Sequence, residues 1–158
     1  MRAIGIIVVL LAGVAAAQPP AQTPKLYTSA AEISALQAKA KSDRKENQPI
    51  VQERILQLAP YNANMEYRAS VGPAAIHEKE AEMFYVIDGS ATMTTGGKLV
   101  GETRNGDNLQ GTAIEGGQSR TVAKGDFIIV PEGTAHWFSA INGSITLMSI
   151  HVPRTAGK

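Results

Sequence analysis

The stretch GDFIIVPEGTAHWF, residues 125–138, decides the fold class of this chain. Gly125-Asp126 leads into the apolar run Phe127–Val130, which has the length and β-branched content of a buried strand. Pro131-Glu132-Gly133 then turns the chain back, and Gly133 supplies the backbone freedom that such a turn uses. His136 begins the next strand. The pattern predicts two β-strands joined by a tight turn, with an imidazole that can point into the protein.

A second stretch, IHEKEAEMFYVIDG at residues 76–89, places His77 just before another predicted strand. Glu82, Phe84 and Val86 share one face of that strand because alternate residues point the same way. A carboxylate beside Phe and Val is costly to bury without a partner. A metal ion, or a charged partner such as Lys79, would offset that cost.

From residue 50 onward the chain follows a period of two, with frequent Gly in the turns. Asp88-Gly89 and Asn142-Gly143 are interpreted as hairpin turns, and residues 94–111 as a long polar loop, compatible with an extended hairpin. Many short strands with Gly-rich turns indicate a sandwich or barrel. The predicted strands are Val51–Leu58, Met65–Ser70, Glu82–Ile87, Ala91–Thr95, Gln110–Glu115, Ser119–Val122, Phe127–Val130, His136–Ala140 and Ser144–Val152.

The amino-terminal segment is organised differently. Residues 1–17 are typical of a signal peptide, with one positive charge, an apolar run and small residues before a cleavage point. The apolar run is shorter than the roughly 20 residues that span a bilayer, which disfavours an uncleaved anchor. Residues 18–28 form a Pro-rich extended leader. Residues 29–46 are predicted as a helix that starts with a capping box between Ser29 and Glu32.

Composition narrows the function classes. The 158 residues suffice for one domain. Without cysteine, disulfides and thiolate chemistry are excluded, and a metal site would have to use His and carboxylate ligands. Such ligands suit a divalent transition metal (Fe, Mn, Ni, Cu or Zn). The formal charge is +1, and zero after loss of Arg2, so nothing favours a nucleic-acid partner or a stable membrane association after cleavage.

The two stretches together resemble the cupin superfamily, and in particular its small single-domain, type-2-like members. The second cupin motif is Gly, five residues, Pro-x-Gly, two residues, His, three residues, Asn. The chain matches it at Gly125, Pro131, Gly133 and His136, with Ala140 in place of the Asn. The first motif matches less fully. His77, Glu82 and Gly89 fit its spacing, whereas Ala75 stands where the family has its first His.

This resemblance implies an all-β fold, a cupin double-stranded β-helix or jelly-roll barrel over residues 50–153, with one amino-terminal α-helix. It implies metal ligation by His77, Glu82 and His136, a small organic ligand, and a homodimer. With export, the protein would be periplasmic or secreted. The reaction stays open among oxygenase, isomerase and lyase chemistry because one fold hosts many functions.

Two rival interpretations keep the same fold. One is a non-catalytic binding module with a degenerate site, and the other is a structural or interaction protein. Glu80, Lys79 and His151 are the available acid/base groups, with nothing to choose among them. His151 can reach the interior, although a single histidine near a chain end is more often structural. The aromatic residues Tyr85, Trp137 and Phe138 are interpreted as core or dimer-contact residues.

Overall fold

A computed structural model describes residues 23–154 of the chain. The predicted signal peptide and the first part of the leader lie outside the described residues. Within them, no helix is both long and apolar enough to cross a membrane. The helix α1 spans Ala30–Asp43, and the strands are β1 Ile50–Leu58, β2 Tyr61–Arg68, β3 Ala74–His77, β4 Glu80–Thr95, β5 Lys98–Val100, β6 Thr103–Asn105, β7 Asn108–Gly111, β8 Ala113–Glu115, β9 Gln118–Ala123, β10 Phe127–Val130 and β11 His136–Pro153.

Two long strands organise the barrel. Strands β4 and β11 pair antiparallel along most of their length. Outside this pair, β4 continues into β10 and β9, whereas β11 continues into β2 and then β1. At its start β11 also meets β3, which pairs with β7 and through it with β6. The result is the single-domain jelly-roll barrel with one amino-terminal helix that the sequence predicts.

The interior contains two apolar clusters, and their positions follow from strand alternation. The first lies inside the barrel and includes Phe84, Val86, Met93, Phe138 and Leu147. The second lies between the outer sheet face and the helix, where Ala40 packs with Val51, Ile55, Ala63 and Met65. Burial of these side chains supplies the main stabilising free energy in a chain without disulfides.

The helix begins as its sequence predicts. The Ser29 side chain accepts a hydrogen bond from the Glu32 backbone N–H, and the Glu32 carboxylate accepts one from the Ser29 N–H, which completes the capping box. The helix ends at Asp43, before residue 46. Arg44 is extended there, and its guanidinium donates to the carbonyl oxygens of Gln48 and Glu46. Those bonds lie in the turn that follows the helix.

Two predicted hairpin turns are wrong. Residues 88–89 lie inside β4 and residues 142–143 lie inside β11. Gly89 has φ +80°, and a Cβ at this position would lie 2.0 Å from the Ser144 carbonyl oxygen. The glycine therefore permits close approach of two paired strands, a role that glycine also has within sheets.

Smaller differences concern the strands around the barrel opening. Strand β3 was not expected, although it carries His77. The segment interpreted as a polar loop contains β5, β6 and β7, and the strand predicted over residues 110–115 is divided between β7 and β8. Strands of three or four residues are too short to show a clear apolar periodicity, so sequence pattern detects them poorly.

Candidate metal centre

Four titratable side chains meet at one end of the barrel cavity. His77 comes from the end of β3, Glu82 from β4, and His136 and His151 from the two ends of β11. Their positions follow from the pairing: Glu82 lies opposite His151, and His136 lies opposite Ala75. The turn after β10 is held near β3 because the Gly133 N–H donates to the His77 carbonyl oxygen at 2.8 Å. The two quoted stretches therefore form one site.

The histidine Nε2 atoms converge on the Glu82 carboxylate. His77 Nε2 lies 3.2 Å and His136 Nε2 lies 3.0 Å from Glu82 Oε2. His151 Nε2 lies 3.4 Å from the other oxygen, Oε1. Two ligand atoms bonded to one ion at ~2.1 Å are separated by about 3.0 Å at a right angle and about 3.4 Å at a tetrahedral angle. The spacing of these donors therefore fits a transition-metal site.

The opposite nitrogen of each ring faces a hydrogen-bond acceptor. His77 Nδ1 lies 3.0 Å from Asn108 Oδ1, His136 Nδ1 lies 3.2 Å from the Thr134 carbonyl oxygen, and His151 Nδ1 lies 2.6 Å from Glu80 Oε1. If a metal ion replaces the Nε2 protons, such partners hold the remaining proton on Nδ1 and leave the Nε2 lone pair for the ion. All three rings are thus oriented as metal-ligating histidines are.

The carboxylate is buried and strongly stabilised in its charged form. Glu82 is 4% exposed, and Ser149 donates a hydrogen bond to its Oε1 at 2.6 Å. Burial alone would raise the pKa of Glu82, but hydrogen bonds from His136 and His77 outweigh it and hold that pKa well below its usual range. Conversely, burial lowers the pKa of His77, and the Glu82 carboxylate more than offsets this, so the pKa of His77 is raised. The site favours a positive charge next to Glu82.

Two overlapping three-residue sets are candidates for holding an ion. His77, Glu82 and His136, the set predicted from the sequence, share contacts at Oε2. His77, Glu82 and His151 form a second set, whose ligand atoms all lie within 4.8 Å of one another. Both sets need His77 and Glu82. His151 is the member of the cluster that the sequence leaves without a ligand role. The signal in the sequence is its place on the alternate positions Leu147, Ser149 and His151, which share one face of a strand.

The neighbouring charges separate into two kinds. Glu78 pairs with Arg104 and Lys79 with Asp107, and these side chains are largely exposed. Lys79 is therefore not the partner of Glu82. Glu80 differs from both, because it accepts the hydrogen bond from His151 and lies 3.9 Å from His77 Nδ1. Glu80 therefore contacts the histidines at their Nδ1 atoms, on the side that faces away from Glu82.

The site opens into a cavity of about 190 Å³. Ala75 and Trp137 contribute to its wall, together with a polar group formed by Gln52, Glu66 and Arg68. The indole N–H of Trp137 donates to the Gly72 carbonyl oxygen at 2.8 Å. Phe138 belongs to the core, as expected. Tyr85 lies outside this core and packs against Phe127.

Comparison with known proteins identifies the family. The profile of the family described as Cupin matches residues 44–154, so the chain belongs to the cupin family. No curated protein matches the sequence.

Solved structures agree in fold. KdgF from Halomonas sp. is 17% identical with a TM-score of 0.52, over 71% of this chain and 86% of that protein. HppE, in an Fe(II) form, is 16% identical with a TM-score of 0.51, over 68% of this chain and 53% of that protein. The chain thus spans about half the length of HppE. At these identities the likeness concerns the fold alone.

Proposed function

We propose that this cupin binds one divalent transition metal through His77, Glu82 and His136, and that the ion holds a small organic ligand in the barrel cavity. The observation that supports this most strongly is the convergence of three Nε2 atoms on the Glu82 carboxylate. The Nε2 lone pairs of the histidines and the Glu82 carboxylate would repel one another unless a cation lay between them, either protons or a metal ion. The hydrogen bonds at all three Nδ1 atoms favour the metal.

A bound divalent ion with three protein ligands would supply open positions for a ligand and polarise its oxygen atoms. Other side chains and one backbone carbonyl would hold the ligating residues in position. Asn108, Thr134 and Glu80 orient the rings, and Ser149 fixes the carboxylate rotamer. Oxygenase, isomerase and lyase chemistry remain candidate reactions.

Metal content tests the proposal directly. The untagged protein, the variants His77→Ala, His136→Ala and His151→Ala, and the control Glu78→Gln would be loaded with Fe(II), Mn, Ni, Cu or Zn and analysed for metal. Iron comes first because the fold neighbour HppE was solved with Fe(II). The control removes an exposed carboxylate that pairs with Arg104. Close to one ion per chain is expected in the wild type and the control, with loss in His77→Ala and His136→Ala.

The outcomes separate the two ligand sets. Loss of metal in His151→Ala but not in His136→Ala would show that the second set binds the ion, and the assignment of His136 would be wrong. Absence of metal from the wild type after every reconstitution would contradict the proposal. In that case the second candidate, a non-catalytic ligand-binding module, applies, since Ala75 lacks the imidazole that the family has there. Native mass spectrometry would detect a ligand retained by such a module.

Export and dimerisation are proposed on sequence grounds and from the family resemblance. If residues 1–17 are a signal peptide, the protein recovered from its source begins at Gln18, which amino-terminal sequencing would show. If the chain is a homodimer, light scattering gives twice the monomer mass. An intact amino terminus or a monomeric mass would contradict the respective proposal.

A further inference from the structure

The cavity wall carries further polar side chains that the proposed metal site does not use. Arg68 and Glu66 lie on β2 and line the same cavity as His77, Glu82, His136 and His151. The Arg68 side chain is 11% exposed and that of Glu66 is 3% exposed. A buried ion pair contributes little net stability compared with apolar residues of the same size. Its presence on a cavity wall therefore suggests recognition of a ligand.

The hydrogen bonds leave one edge of the guanidinium open. Arg68 Nε and Nη2 both donate to Glu66 Oε2, at 3.0 and 2.6 Å. The other oxygen, Glu66 Oε1, accepts from Gln52 Nε2 at 2.8 Å. Within residues 23–154, Nη1 has no hydrogen-bond acceptor. Since a guanidinium carries five N–H donors, the Nη1/Nη2 edge can still bind a carboxylate in the bidentate manner.

The guanidinium is also fixed in position. Its Cζ lies 4.7 Å from the centre of the Phe138 ring. Phe138 packs edge-on against Phe84, with 5.5 Å between ring centres, and Phe84 lies 6.2 Å from the His136 ring. Packing of this kind holds the donor at a defined place relative to the histidine cluster and reduces the entropy lost on binding.

Charge and size limit the ligand. The charged side chains lining the cavity are Arg68, Glu66 and Glu82, with a net charge of −1 when the histidines are neutral. A divalent ion at Glu82 would change this to +1, which suits a monoanion. A cavity of about 190 Å³ holds on the order of six groups the size of a water molecule. The occupant is therefore a small molecule.

We propose that the cavity takes a small organic acid with one carboxylate, which binds the open edge of Arg68, while a hydroxyl or keto oxygen of the same molecule faces the histidine cluster. This inference rests on the proposed metal site for the second contact. Glu66 and Gln52 are positioning residues, because they hold the guanidinium and do not bind the acid themselves.

Calorimetric titration with two matched probes tests the inference. 3-Hydroxybutyrate carries a carboxylate and a separate hydroxyl, and 1,3-butanediol replaces the carboxylate by a neutral alcohol. The metal-loaded wild type should bind the acid at least about tenfold more tightly than the diol, as expected for charge-assisted hydrogen bonds. The double variant Glu66→Gln/Arg68→Met removes both charges together and leaves neither unpaired. It should lose the preference while it keeps its metal.

Three results would overturn the inference. If the double variant retained the preference, the carboxylate would be bound by the metal and not by Arg68. Equal binding of both probes by the wild type, or no binding of the acid at about 10 mM, would also contradict it. Metal content measured on the same samples distinguishes failure of the metal site from failure of the Arg68 contact. If the double variant loses metal, Arg68→Lys replaces it, since lysine keeps the charge but lacks the bidentate edge.

Discussion

Replacing Glu82 by glutamine tests the centre of the proposed site. Glu82 contacts all three histidines and accepts from Ser149, so Glu82→Gln removes the one anionic ligand and leaves a side chain of similar shape. Loss of a residue that only supports a ligand costs about 10- to 100-fold in metal affinity. Loss of the carboxylate itself should cost at least about 100-fold on the same scale.

The expected effect on thermal stability follows from binding linkage. Metal at about 100 times its Kd stabilises the wild type by about 2.7 kcal/mol. For a domain of this size, about 3 °C per kcal/mol converts this into a rise of about 8 °C in Tm. At the same metal concentration, a variant with 100-fold weaker binding gains only about 0.4 kcal/mol, or about 1 °C.

Differential scanning fluorimetry with and without EDTA measures both shifts. Glu78→Gln is the matched control, because it removes a carboxylate from the same segment that is exposed and paired with Arg104. It should keep the full metal-dependent shift. A metal-dependent shift in Glu82→Gln equal to that of the wild type would refute the reasoning, since it would place the ion away from the carboxylate on which the histidines converge.

Three further predictions concern the same structure. The pKa of His77 is raised in the folded protein. Protonated His77 therefore stabilises the metal-free protein fully below the pKa of the unfolded chain, about 6.5, and this stabilisation is lost as pH rises through the pKa of the folded state. Urea unfolding in EDTA should therefore show decreasing stability with rising pH in that range, and no such decrease in Glu82→Gln. Gly89→Ala should lower the free energy of unfolding by more than about 3 kcal/mol, because the new Cβ would meet the Ser144 carbonyl oxygen at 2.0 Å; near-normal urea unfolding would show that β4 and β11 can separate there. Ala75→His should raise metal affinity in a competition titration, since Ala75 lies opposite His136 and lines the cavity; unchanged or weaker binding would contradict the alignment of the first motif.

The fold and three of the clustered residues were accessible from the sequence because their signals are local. The apolar run before Pro131, the positive φ of +71° at Gly133 and the position of His136 all belong to one short stretch. The alternation that puts Glu82 with Phe84 and Val86 is equally local. The capping box at Ser29 needs only four consecutive residues.

The role of His151 was not accessible in this way, because it depends on the register between β4 and β11. That pairing contains three irregularities, between residues 138 and 140, 141 and 145, and 146 and 147. A bulge changes which residues oppose each other and which face a side chain takes. Sequence also does not distinguish a glycine in a turn from Gly89, which lies in a closely packed strand, or from Gly143, which lies in an irregularity of β11.

The residues that lie within hydrogen-bonding distance of the histidine Nδ1 atoms bear on whether the site is degenerate. In a site that no longer binds a metal, an acceptor at the Nδ1 atom of each imidazole would be needed only where the fold itself requires it. Here each ring keeps an acceptor at Nδ1, and the three acceptors are of different kinds: an amide, a backbone carbonyl and a carboxylate. The Glu80 contact is the most informative, because a carboxylate acceptor 2.6 Å from Nδ1 holds the half-buried ring of His151 in place. Glu80→Gln should therefore weaken metal binding if His151 is one of the ligands and leave it unchanged if His136 is, whereas a degenerate site would bind no metal in either form.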